Sequence, residues 1–195
     1  MKLKITAIFL LIFVSQKSFG QASDEQYRNI VYDIKGDLNK DGLADKVVVR
    51  ENDNDSKHPY LLEIFFKNVD GSYKKVLRST KAVTPKFPAG GEISDVNLEN
   101  LEIKNGLLIF TNQLIRGNYV HKFRFQNGNF ELIGFTENNA SAGYIEYVDY
   151  NLSTGVKINK HIDYQTDKVL MYKKSIDKMK SLPKLQDFEA LEYVY

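Results

Sequence analysis

Turn pairs that accept positive φ recur along this chain, each set between short runs of alternating residues. No other feature constrains its fold as much. Asp70-Gly71 separates residues 61–67 from 73–78, and Asn105-Gly106 separates 101–104 from 107–112. Asn127-Gly128 separates 122–125 from 129–135, and Ser153-Thr154-Gly155 separates 147–150 from 156–159. Arg116-Gly117-Asn118 opens a further run at Tyr119. Asn-Gly and Asp-Gly supply the backbone angles of tight hairpins, so the pattern predicts successive antiparallel strands, about ten of them. Side chains alternate between the two faces of a strand. Tyr119, His121, Phe123 and Phe125 therefore share one face, with Val120, Lys122 and Arg124 on the other. Tyr60, Leu62, Ile64 and Phe66 form a second apolar row, with Leu61, Glu63, Phe65 and Lys67 opposite.

The expected fold is all-β: a single antiparallel domain of successive hairpins, either propeller-like or a sandwich meander. Two stretches break the rhythm. Residues 84–98 hold Pro85, Pro88 and Gly90-Gly91 and read as a long surface loop. Residues 182–195 read as a short C-terminal helix, with Ser181 as cap and Pro183 in the first turn.

The first 20 residues have the layout of a secretory signal peptide. Lys2 and Lys4 precede an apolar run over residues 5–14, followed by Ser18 and Gly20 at small-x-small spacing. The run is half the length of a membrane span, so cleavage before Gln21 is expected and no span remains. The mature protein is then residues 21–195, periplasmic or secreted. Of 27 basic and 25 acidic residues, the leader takes three lysines and no acids, leaving 24 against 25. That balance gives no electrostatic footprint for nucleic acid. The chain has no cysteine, which excludes disulfides, thiolate metal sites and thiol nucleophiles. An exported domain of this kind depends on its core and on any bound ion.

One segment carries coordination chemistry: Asp37-Leu38-Asn39-Lys40-Asp41-Gly42-Leu43-Ala44-Asp45. Oxygen-bearing side chains fall at positions 1, 3, 5 and 9 of a calcium-loop pattern. Gly42 stands at the sharp turn of position 6, and the Leu43 carbonyl at position 7. Short side chains at alternate positions of a coiled loop converge inward, and calcium accepts such a cage of hard oxygens. The competing reading is an Asx-rich turn without metal, which leaves the ninth-position Asp45 unexplained. Position 12, a glutamate in a full EF-hand, is Val48, and strand patterns flank the loop on both sides.

The pattern D-x-N-x-D-G-x-x-D between strands resembles the calcium loop of FG-GAP and VCBS repeats, the type found in integrin propeller blades. The likeness covers about 20 residues and occurs once, whereas such families repeat it. It implies Ca²⁺ ligands at Asp37, Asn39, Asp41, Leu43 (carbonyl) and Asp45.

Other chemistry-bearing residues are weaker candidates. His58, His121 and His161 have no ligand spacing, and His121 sits on an apolar strand face, which points to a hydrogen-bonded core histidine. Glu63, Glu131 and Glu146 are the carboxylates a hydrolase could pair, although alternation places each on a solvated sheet face. Residues 51–56 are acidic and amide-rich and read as a solvated loop, with an outer ligand to the ion as the alternative. Lys173, Lys174, Lys178, Lys180 and Lys184 form a basic segment, solvated or facing an acidic partner.

Three functions remain open. The first is a non-enzymatic binding module for a protein or glycan. The chain has a weaker likeness to periplasmic inhibitors or immunity proteins of peptidoglycan hydrolases, which implies a loop inserted into an enzyme cleft; residues 84–92 suit that by length and Pro/Gly content. The second is a structural envelope protein in which the ion substitutes for disulfides. The third is a hydrolase.

Overall fold

The computed structural model describes residues 24–91 and 93–195. The expected leader, residues 1–20, and its cleavage point before Gln21 lie outside the described residues, as does Glu92. Among the described residues no helix is long and apolar enough to cross a membrane.

Among the described residues the architecture is all-β, with eleven strands in two antiparallel sheets. The first sheet runs in chain order: β1 (Asn29–Gly36), β2 (Asp45–Glu51), β3 (Tyr60–Lys67) and β4 (Tyr73–Ser79). The second is also a meander: β5 (Val96–Lys104), β6 (Leu107–Leu114), β7 (Gly117–Gln126), β8 (Asn129–Ala140), β9 (Tyr144–Asn151), β10 (Val156–Asp163) and β11 (Val169–Ile176). The expected turns close the hairpins. Asn105 and Gly106 have φ of 53° and 72°, and Asn127 and Gly128 have 53° and 73°, the doubly positive pattern of a type I′ turn.

The two sheets share one core, which decides for a sandwich. Val47, Val49, Leu62 and Ile64 of the first sheet belong to one buried cluster with Leu108, Phe110, Phe123, Leu132 and Phe135 of the second. Along one side β1 meets β5. A Cβ at Gly36 would lie 2.6 Å from Ile103, so glycine permits the close approach, and the Tyr32 hydroxyl donates to the Glu99 carbonyl at 2.9 Å.

The C-terminal segment closes the side between β4 and β8. Residues 182–195 do not form the expected helix; they run extended through two 3₁₀ turns, Leu185–Asp187 and Ala190–Tyr193. The Leu132 amide donates to the Pro183 carbonyl at 2.8 Å, and Lys184 bridges to Glu131. Leu185 and Phe188 enter the core. A helix would give up the bonds to β8 and lift these apolar groups out, so tertiary burial overrides the local start signal.

The apolar rows behave as period two requires. Tyr119, His121 and Phe123 are buried, as are Tyr60, Leu62 and Ile64. The opposite face of β3 departs from expectation, because Leu61 and Glu63 are buried too. Arg50 lies opposite Leu61 in register and reaches Glu63, so its stem crosses that strip. Residues 84–91 and 93–95 are irregular, as expected of a loop, with β5 starting at Val96.

Candidate functional site

Loop 37–45 joins β1 to β2 and is held almost wholly by its own side chains. Asp37 accepts the Lys40 amide at 2.6 Å on Oδ1 and the Gly42 amide at 2.9 Å on Oδ2. Asn39 Oδ1 accepts the Asp41 amide at 3.1 Å, and Asp41 Oδ1 accepts the Leu43 amide at 2.8 Å. Asn39 Nδ2 donates to Asp41 Oδ2 at 2.9 Å. Lys40 and Gly42 take positive φ of 65° and 83°, which winds the chain tightly enough for these short bonds. Leu38 points the other way, into the core.

Asp45 differs from the rest. It is fully buried, and both carboxylate oxygens are engaged: Oδ2 by the amides of Leu38 at 2.9 Å and Asn39 at 3.3 Å, Oδ1 by the amide of Lys67 at 3.0 Å. Those bonds tie the loop to the end of β3. They also account for an aspartate at the ninth position by backbone bracing, which turn chemistry within the loop does not. Asp37 and Asn39 remain half-buried and Asp41 is exposed, each with lone pairs beyond those used by the turn. Among the described residues no three or more His, Cys, Asp or Glu side chains converge as a metal-binding group.

Asn39 and Asp41 form one wall of a cleft of about 590 Å³, where hairpins of the two sheets meet. Its floor is Phe66 of β3 with Phe125 and Phe130 of the β7–β8 hairpin. Phe66 meets Phe125 edge-on at 4.8 Å, and Phe125 lies 5.1 Å from Phe130. Phe130 is buried, whereas Phe66 and Phe125 keep part of their rings exposed. Lys67 and Lys74 stand on the rim. Lys74 is in register with Phe66, so both side chains leave the same face of the sheet. Neither lysine has an ion-pair partner among the described residues. Lys75, next along, is committed elsewhere: it pairs with Glu63 at 2.5 Å and lies over the Phe65 ring. Sequence reasoning assigned Phe66 and Phe125 to apolar rows and did not single out Lys67 or Lys74. Phe66, Lys67 and Lys74 belong to the β3–β4 hairpin and Phe125 to the β7–β8 hairpin, so no spacing in the chain joins the two groups.

The other candidates fall apart spatially. Glu63 is buried beneath Arg50 and Lys75, not solvated. Glu131 accepts from Gln126 at 2.6 Å on β8. Glu146, on β9, is opposite Asn139, far along β8 from Glu131, and faces His161 at 3.6 Å. The three therefore form no carboxylate pair. The start of the 51–56 run is also not solvated: Glu51 and Asn52 are buried, and Glu51 pairs with His58 at 2.6 Å and Lys86 at 3.5 Å. The Lys86 and Phe87 amides further donate hydrogen bonds to the carbonyls of His58 and Lys57, so the first half of the loop that starts at Thr84 lies against the body of the domain.

His121 is the core histidine its strand face indicated. It is fully buried, its Nε2 lies 2.8 Å from the Tyr193 carbonyl, and burial pushes its pKa down to about 4. Burial likewise pushes the Tyr119 hydroxyl up to about 12. Neither group opens on the cleft. No family model, curated protein or solved structure matches the chain.

Proposed function

We propose that this chain is an exported, non-enzymatic binding module braced by calcium, whose ligand site is the cleft beside loop 37–45. The observation that carries the binding reading is the cleft itself: a three-phenylalanine floor below two unpaired lysines, in a volume typical of ligand pockets. Apolar rings and uncompensated cations at one concave place favour recognition of a partner over plain structural support. Phe130 belongs to the core and Phe66 and Phe125 pack against it, so the rings also support the fold, but the two lysines take no part in it.

The donor set of the loop suits a hard cation. Asp37, Asn39 and Asp41 with the Leu43 carbonyl offer only oxygen, the chemistry calcium prefers. Asp45 in this reading holds the loop in shape through its three backbone bonds and is not a ligand. Calcium bound there supplies fixed positive charge that offsets the carboxylates of Asp37 and Asp41. The export reading supplies a calcium-rich compartment and comes from the basic-apolar-small layout of residues 1–20.

Calcium titration tests the brace. Extracellular loops of this kind bind at about 10⁻⁴–10⁻³ M. With a Kd near 1 mM, about 10 mM Ca²⁺ adds about 1.4 kcal/mol of stability, a rise in melting temperature of about 3–6 °C for a domain of this size. Calorimetry gives a matching heat that Asp41→Ala abolishes. No heat and no thermal shift leave the loop as an Asx turn.

A further inference from the structure

We infer that the cleft beside loop 37–45 takes an acidic saccharide: sugar rings lie on the Phe66–Phe125–Phe130 floor and a sugar carboxylate meets Lys74. This rests on the binding reading above and names its ligand class.

Three features of the cleft select that chemistry. Sugar rings present apolar C–H faces, and the half-exposed rings of Phe66 and Phe125 are apolar surfaces for them to cover. The rim then matters. Lys74 leaves the same sheet face as Phe66, so its ammonium stands beside the aromatic floor, whereas Lys67, next on β3, leaves the opposite face and lines only the edge of the cleft. Without an ion-pair partner among the described residues, Lys74 is available to a carboxylate. The remaining walls carry the amides of Asn39, Asn68, Asn129 and Gln186 and the Asp41 carboxylate, whose charge the calcium proposed above offsets. Amides donate and accept, which matches sugar hydroxyls. A wholly apolar ligand would desolvate these amides and lysines without replacing their water. A neutral saccharide would leave Lys74 unused. At about 590 Å³ the cleft has room for a short oligosaccharide.

The test is ¹⁵N NMR titration of the mature protein in millimolar Ca²⁺ with four probes of similar size: an oligogalacturonate, a disaccharide containing N-acetylmuramic acid, a neutral cello-oligosaccharide and a glutamate-rich peptide. The expected result is saturable shifts at Phe66, Lys74, Phe125 and Asn129 with one or both acidic saccharides, weakened by salt. The two acidic sugars distinguish a uronic carboxylate from a lactyl one. Lys74→Gln, an exposed substitution that leaves the core untouched, lowers affinity for the acidic saccharide at least fivefold. Phe125→Ala lowers it as well. If the cello-oligosaccharide binds the cleft as tightly, or Lys74→Gln has no effect, the acidic assignment is wrong while the binding reading stands. If only the peptide moves the cleft resonances, the saccharide class is wrong and the module binds acidic protein. If none of the four does so, both the ligand class and the cleft as binding site fall.

Discussion

Acid should destabilise this protein through one side chain, His121. It is fully buried on β7, among Tyr119, Phe135 and Phe188, and touches the C-terminal segment through Tyr193. Burial holds its folded pKa at about 4, against the ordinary 6.5 of an exposed histidine. The unfolded chain therefore binds a proton in this window that the folded chain refuses. Stability from the neutral imidazole is complete above about pH 6.5 and drains away as pH falls toward 4. About 2.5 pH units at 1.36 kcal/mol each gives roughly 3 kcal/mol. Urea unfolding of wild type and His121→Leu at pH 7 and pH 4 isolates the effect, because other titrating groups contribute to both proteins. Wild type should lose about 3 kcal/mol more than the variant across that interval. Equal losses would refute the reasoning, as would an NMR titration placing the imidazole near its ordinary value. The variant's lower stability at pH 7 does not interfere, since the test reads a difference of differences.

Within the loop, Asp45→Asn should cost about 2–4 kcal/mol in denaturant unfolding with chelator present, since an amide nitrogen replaces one acceptor oxygen facing backbone N–H groups. Asp41→Asn, exposed, should cost under about 1 kcal/mol under the same conditions; equal costs would contradict the division of roles between the two. Glu63→Ala should destabilise by about 2–3 kcal/mol, because the buried carboxylate is the shared partner of Arg50 and Lys75, both of which still reach water. Gly117→Ala puts a Cβ 1.9 Å from the Asn138 carbonyl oxygen and should cost about 2–3 kcal/mol, seen as early loss of the β7–β8 pairing in hydrogen exchange. Gly128→Ala, whose Cβ meets nothing within 4 Å, should cost only about 1 kcal/mol from its positive φ.

Local chemistry made much of this protein legible in its sequence. The Asn-Gly turns at 105–106 and 127–128, the two-residue alternation of Tyr119, His121 and Phe123, and the irregular stretch after Thr84 each depend on a few neighbouring residues. Backbone sterics and the strand period fix them before any distant contact forms. What lies across a strand from elsewhere in the chain is not encoded locally, and that decided the rest. Asp45 turned inward because the Lys67 amide, at the far end of β3, waits for it. Glu63 was buried because Arg50 and Lys75 meet over it from the two neighbouring strands. The C-terminal segment stayed extended because β8 offered bonds and the core offered space for Phe188. The cleft itself unites β3, β4 and the β7–β8 hairpin. Its rings and lysines acquire a joint meaning only once two sheets pack, since burial and charge pairing depend on distances that chain separation does not set.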